Sequence, residues 1–188
     1  LSGWRKKKTI ANRYDETSAM YDVRYADEQE PKYEAALNEL HECRFGKVLD
    51  AGCGTGLFFR SISLKSELIV GLDISRKSLL TAKTRASSFC NVDVVCGDAD
   101  FMPFTGRAFS HAFAFTLVQN MPKPEQTLIE LKRAVAVSGK IMITGLKRIY
   151  SKKAFLAVLE KGELNVIRLV DADTLNCYVA VCVKTPLK

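Results

Sequence analysis

Three aspartates, Asp50, Asp73 and Asp98, each close an apolar run, and the first opens a loop with three glycines, "VLDAGCGTG" at Val48 to Gly56. Glycine at alternate positions lets a backbone come close to a ligand. The spacing argues against two phosphate-binding patterns. A P-loop ends in Gly-Lys-Ser/Thr, and no lysine stands here. The dinucleotide fingerprint G-x-G-x-x-G requires glycine at position 57, which is Leu57. Asp73 lies about 20 residues past the loop, where a carboxylate accepts hydrogen bonds from ribose hydroxyls. "GDA" at Gly97 to Ala99 places a third carboxylate, able to accept from an exocyclic amine. Any one of these aspartates reads first as a turn or helix-cap residue. Three at one rim favour a neutral or cationic ligand with a ribose and an amine and without phosphate.

Placing them at one rim requires strands that alternate with helices. From Lys47 the pattern does this: strands over 47–52, 68–74, 91–98, 111–117 and 140–146, all apolar enough to be buried. Helices are expected over 56–65, over 76–88 with Ser75 as cap, over 123–135 with Pro124 near its start and Gly139 able to end it, and over 151–162 between Ser151 and Gly162. The last 22 residues before Thr185 read as two strands around "DADT", an antiparallel pair. The fold class is therefore α/β, a doubly wound, Rossmann-like and mostly parallel sheet closed by an antiparallel hairpin. Ligands in such sheets sit beyond the carboxyl ends of the strands. Residues 1–28 read as a polar arm, and "PKYEAALNEL" as a short amphipathic helix with Pro31 in its first turn. One domain over 1–188 is expected, with an arm and helix to residue 44 and a core from 45.

The segments "VLDAGCGTG", "GLDIS" and "GDADFMPF" resemble the successive cofactor motifs of class I S-adenosylmethionine-dependent methyltransferases, and the likeness runs from about Val48 to Ile143. The resemblance implies a seven-stranded sheet with the last strand inserted antiparallel, and S-adenosylmethionine as cofactor. It places Asp50 and the glycine loop, with Gly52, Cys53, Gly54 and Gly56, at the methionine end, Asp73 at the ribose and Asp98 with Ala99 at the adenine; Ile74, Phe115 and Tyr21 are further cofactor-binding candidates. The arm resembles the amino-terminal segment of the type-11-like members, which folds over the cofactor as a lid; Tyr14, Tyr21 and Tyr25 could then stack on the ligand. Two family features differ here. The fourth strand begins with Ser110 and His111 rather than an acid, and "AVSGK" keeps one glycine of a usual Pro-Gly-Gly.

The acceptor is less legible. The Asn/Asp-Pro-Pro-Tyr/Phe motif of amide-group N-methyltransferases is replaced by Gln119-Asn120-Met121-Pro122. Gln119 and Asn120 could bond an acceptor or cap the next helix. Lys147 and Arg148 follow the fifth strand at the carboxyl rim, and Arg5, Lys6, Lys7, Lys8 and Arg13 crowd the arm. These basic runs, a net charge of +7 and the lack of a substrate domain point to RNA, with tRNA foremost, as acceptor. Solvated lysines would read the same way. A small-molecule acceptor is the alternative, and a cofactor-binding, non-catalytic subunit is the other. No catalytic base is identified, since methyl transfer rests largely on alignment.

Six cysteines without a CxxC pair, and only two histidines, give no metal site and suggest buried reduced thiols in a cytoplasmic protein. No apolar run approaches the ~20 residues of a membrane span. The third strand, "VDVVC", is expected at the sheet edge, where an activating or completing protein partner, or a second copy, could pair with it.

Overall fold

The computed structural model describes residues 2–40 and 44–184, except for the side chains of residues 2 and 17–26. Its strands are β1 (Phe45–Ala51), β2 (Ser66–Asp73), β3 (Val92–Cys96), β4 (Phe109–Ala114), β5 (Val135–Leu146), β6 (Leu164–Val170) and β7 (Cys177–Lys184). They form one sheet in the order β3-β2-β1-β4-β5-β7-β6. The first five are parallel, and β7 runs antiparallel between β5 and β6. The order reverses between β1 and β4, and it is at this switch that a crevice opens beyond the strand ends.

Helices α1 (Ser2–Asn38), α2 (Phe59–Ile62), α3 (Arg76–Ala86), α4 (Pro124–Ala134) and α5 (Lys152–Lys161) cover the two faces. On one face Tyr33 and Ala36 of α1, Phe59 and Ile62 of α2, and Leu79 and Ala82 of α3 pack on Val48, Ile69 and Phe113. On the other, Leu128 and Leu131 of α4 and Phe155 and Leu159 of α5 pack on Leu49, Ala112 and Ile141. The serine caps form as expected: Ser75 accepts from the Ser78 N–H and Ser151 from the Ala154 N–H. No helix among the described residues is long and apolar enough to cross a membrane.

Four expectations are corrected. The arm and the short helix are one helix, α1, with Pro31 inside it and not in its first turn. Its partners, described below, are distant in sequence, so local pattern does not reveal it. The second helix has a single α turn, followed by a tighter turn over Ser63–Lys65. Gly139 does not end α4. The helix stops at Ala134, and Gly139 lies within β5, opposite an irregularity in β4 between Phe109 and His111. A Cβ at position 139 would stand 2.2 Å from the Ser110 carbonyl oxygen, so glycine permits the close approach of the two strands. Finally, Cys90 and Cys96 are exposed, whereas Cys53, Cys177 and Cys182 are buried; Cys43 lies outside the described residues.

Candidate functional site

The ends of β1, β2, β3 and β4 and one side of α1 enclose a cleft of about 770 Å³, its open mouth included. Its walls carry Gly52, Gly54, Asp73, Ile74, Asp98, Ala99 and Phe115, together with Tyr14 and Asn120. A smaller cavity continues beneath the loop, lined by Asp50, Gly52, Cys53, Gly54, Phe115 and Gln29. The three acid-ended strands are therefore brought to one place.

The loop turns on left-handed glycines. Gly52 and Gly56 have φ of 75° and 78°, and a Cβ on Gly56 would lie 2.3 Å from the Phe59 ring. The Gly52 N–H donates to the Leu72 carbonyl at 2.7 Å, tying the loop to β2. Gly54 differs from both: nothing lies within 4 Å of where its Cβ would be, so its bare backbone faces the cleft.

Asp73 joins the loop to α3. Its Oδ2 accepts from the Gly54 N–H at 2.9 Å and its Oδ1 from the Ser75 N–H at 2.8 Å. A carboxylate has about four acceptor positions, so this one retains capacity for a ligand hydroxyl. Burial raises its pKa, and the backbone N–H donors partly offset this. Asp50 is 3% exposed, and its Oδ2 has no hydrogen-bond partner. Burial, assisted by the charge of Asp73, pushes its pKa up to about 8. The same burial, with Asp50 and Asp73 nearby, raises the Cys53 thiol well above its ordinary value. That thiol is kept protonated and is not a nucleophile.

At the third acid, both oxygens of Asp98 accept from the Lys7 ammonium at 2.7 Å, and Lys7 also pairs with Asp100. Asp100 in turn accepts from the Thr127 hydroxyl. Lys7 is only 8% exposed. Sequence reasoning placed it in a basic run on the arm and missed this role; "RKKK" does not distinguish one lysine from the next. Farther along α1, Asp15 accepts from the Ser75 hydroxyl at 2.5 Å and the Lys77 N–H at 3.1 Å. The helix is thus fixed across the ends of β2 and β3.

Tyr14 and Asn120 meet: the Asn120 amide donates to the Tyr14 hydroxyl at 3.0 Å and to the Thr116 carbonyl at 2.9 Å. Burial raises the Tyr14 pKa, which Arg13 partly offsets. Neither Asn120 nor Gln119 caps α4, whose N-cap is Lys123. Gln119 does not line the cleft, and neither amide atom has a partner. Thr116, at a φ of 55°, turns the chain after β4 so that its hydroxyl is buried beside Tyr14 and Asn120. The structure does not bring Lys147 and Arg148 to the cleft. The Lys147 ammonium is held by Asp171 at 3.0 Å and the Ala172 carbonyl at 2.7 Å, at the β6–β7 link, and Arg148 points to solvent. Gly56 shapes the loop without lining either cavity. The side chains of Tyr21 and Tyr25 lie outside the described residues.

A family model described as a methyltransferase domain matches residues 49–143, half of the chain. The chain is 32% identical over 150 residues to a malonyl-[acyl-carrier protein] O-methyltransferase of Marinomonas sp. (strain MWYL1), covering 79% of this chain and 55% of that protein. Among solved structures, an Aquifex aeolicus S-adenosylmethionine-dependent methyltransferase superposes with a TM-score of 0.73 at 19% identity, covering 81% of this chain and 89% of the other. A methyltransferase solved with the Haloferax volcanii Trm112 activator reaches 0.76 at 16% identity, covering 90% and 96%. The chain spans a little over half the length of the Marinomonas relative.

Proposed function

This chain belongs to the methyltransferase domain family, and from that premise we propose that it transfers a methyl group from S-adenosylmethionine to an oxygen acceptor on a small or carrier-borne molecule. The observation that carries the cofactor half is the convergence of Asp50, Asp73 and Asp98 on one cleft beside the open backbone of Gly54. An acidic, phosphate-free rim suits a ligand that carries a sulfonium and an ammonium. Asp73 would hold the ribose, Asp98 with Ala99 and Ile74 the adenine, and Asp50 with Gly52, Gly54 and Phe115 the methionine end. When bound, the cofactor supplies an electrophilic methyl carbon on a positively charged sulfur.

The work left to this chain is alignment and exclusion of water. Helix α1 serves as the lid: Lys7, Ile10 and Tyr14 form the outer wall of the cleft. Tyr14 and Asn120 present polar groups in the same cleft and orient the acceptor. A carboxylate acceptor needs no base, in keeping with the O-methyltransferase relative.

An RNA acceptor is the second reading, favoured by exposed Arg5, Lys6 and Lys8 on α1. Two lysines that would have supported it, Lys7 and Lys147, are held in internal ion pairs. The edge strand β3, with Asp93 and Cys96 exposed, is where an activator subunit of the kind present in the Haloferax volcanii complex would add to this chain. One experiment tests both readings. Cell extract is incubated with the protein and methyl-labelled S-adenosylmethionine, and the product is treated with RNase, protease or mild base. Label released as volatile methanol by base supports a methyl ester; label made soluble by RNase overturns the oxygen-acceptor reading in favour of RNA.

A further inference from the structure

The cavity beneath the glycine loop contains a residue that neither the glycine motif nor the acid-ended strands account for. Gln29 comes from α1, and the residue is 4% exposed. Its Oε1 has no hydrogen-bond partner, and the same is true of Asp50 Oδ2. Both residues line this one cavity, together with Gly52, Cys53, Gly54 and Phe115. Native chains leave few buried acceptors unpaired, because each gives up its bonds to water. Two in one cavity point to a missing donor. One of the two is a carboxylate, which favours a cationic donor over a neutral one. A primary ammonium fits, since it carries three hydrogens and no acceptor of its own.

We propose that Gln29 is a cofactor-binding residue whose side-chain carbonyl, with Asp50, accepts hydrogen bonds from the ammonium group of the methionine end. The inference rests on the cofactor reading above and deepens it. Asp50 comes from β1 and Gln29 from α1, so the ammonium bridges the sheet to the helix. Packing already fixes this part of α1: Tyr33, one turn on from Gln29, sits 4.7 Å from Phe58 and 4.8 Å from Phe115 between ring centroids. The far end of the same helix is held at Asp98 by Lys7. Helix α1 therefore contributes at both ends of the site, and covering the cleft is only one of its roles.

The test compares two ligands by titration calorimetry on the full chain. S-adenosylhomocysteine carries the ammonium group. Its deaminated analogue keeps the adenosine, sulfur and carboxylate and lacks only the ammonium. Gln29→Met preserves the bulk of the side chain and removes the acceptor. The variant is expected to bind S-adenosylhomocysteine about tenfold or more weakly and the analogue as wild type does. Equal loss for both ligands means that Gln29 merely seats α1, and overturns the proposal. Unchanged affinity for both overturns it as well. If wild type binds neither ligand, the cofactor reading itself fails and takes this inference with it. A Gln29→Glu variant, which restores an acceptor, should recover the lost affinity; failure to do so counts against the assignment.

Discussion

Asp50 is a buried group at which proton uptake and stability are coupled, and through which the proposed ligand binding would be coupled to both. Its pKa in the folded chain is about 8, against an ordinary value of 3.8, because burial penalises the charge. Between those values the folded chain keeps a proton that the unfolded chain has lost. Stability therefore falls as pH rises through this window, by up to roughly 1.4 kcal/mol per pH unit, with Asp73 raised in the same direction. Thermal melts from pH 5 to 8 should show this slope, and Asp50→Asn should remove most of it. An equal slope in the variant would mean that another group titrates. Binding should reverse the charge state, since an ammonium beside Asp50 favours the carboxylate. Calorimetry near pH 7 in buffers of different ionisation enthalpy is then expected to report release of a fraction of a proton up to about one. No dependence on the buffer would contradict the placement of Asp50 at the ammonium.

At the scale of elements, α1 and the β4–β5 pair carry the arguments. Lys7 neutralises two carboxylates at the end of β3, and removing a buried partner leaves uncompensated charge. Lys7→Met should cost about 3–5 kcal/mol, measured by denaturant unfolding; an unchanged midpoint would show that α1 does not depend on this pair. Gly139→Ala drives a Cβ into the Ser110 carbonyl, so a loss of about 1–3 kcal/mol is expected, with faster amide exchange in β4 and β5. The glycine loop and the acid-ended strands were legible because each is a local pattern at a fixed position on a strand end. Lys7, Gln29 and the full length of α1 were not. Lys7 is one lysine of three in a row, and its partner Asp98 is 91 residues away. Lys147 was misread for the same reason: its partner Asp171 lies across a helix and a strand. Gly139 looked like a helix stop because the constraint it meets is the backbone of β4, a neighbour no local pattern records.

Across the whole molecule, charge and sheet order decide what can approach the cleft. The strand order, with β7 inserted between β5 and β6, followed from the family likeness and agrees with the antiparallel pair read from the final two runs. The net charge of +7 is a weaker guide, since its interpretation depends on which lysines are spent internally. With Lys7 and Lys147 so used, the oxygen-acceptor reading expects weak tRNA binding with a shallow salt response. A slope in log K against log salt corresponding to several phosphate contacts would favour RNA instead. Both readings depend on one claim, that the cleft at Gly54, Asp73 and Asp98 holds S-adenosylmethionine. The direct measurement is calorimetric titration of S-adenosylmethionine into wild type and Asp73→Ala, with melts confirming that both are folded. Wild-type binding in the micromolar range, weakened by roughly a hundredfold in the variant through loss of charge-assisted hydrogen bonds, is the expected result. Absence of wild-type binding, or equal affinity in a folded variant, would contradict the account.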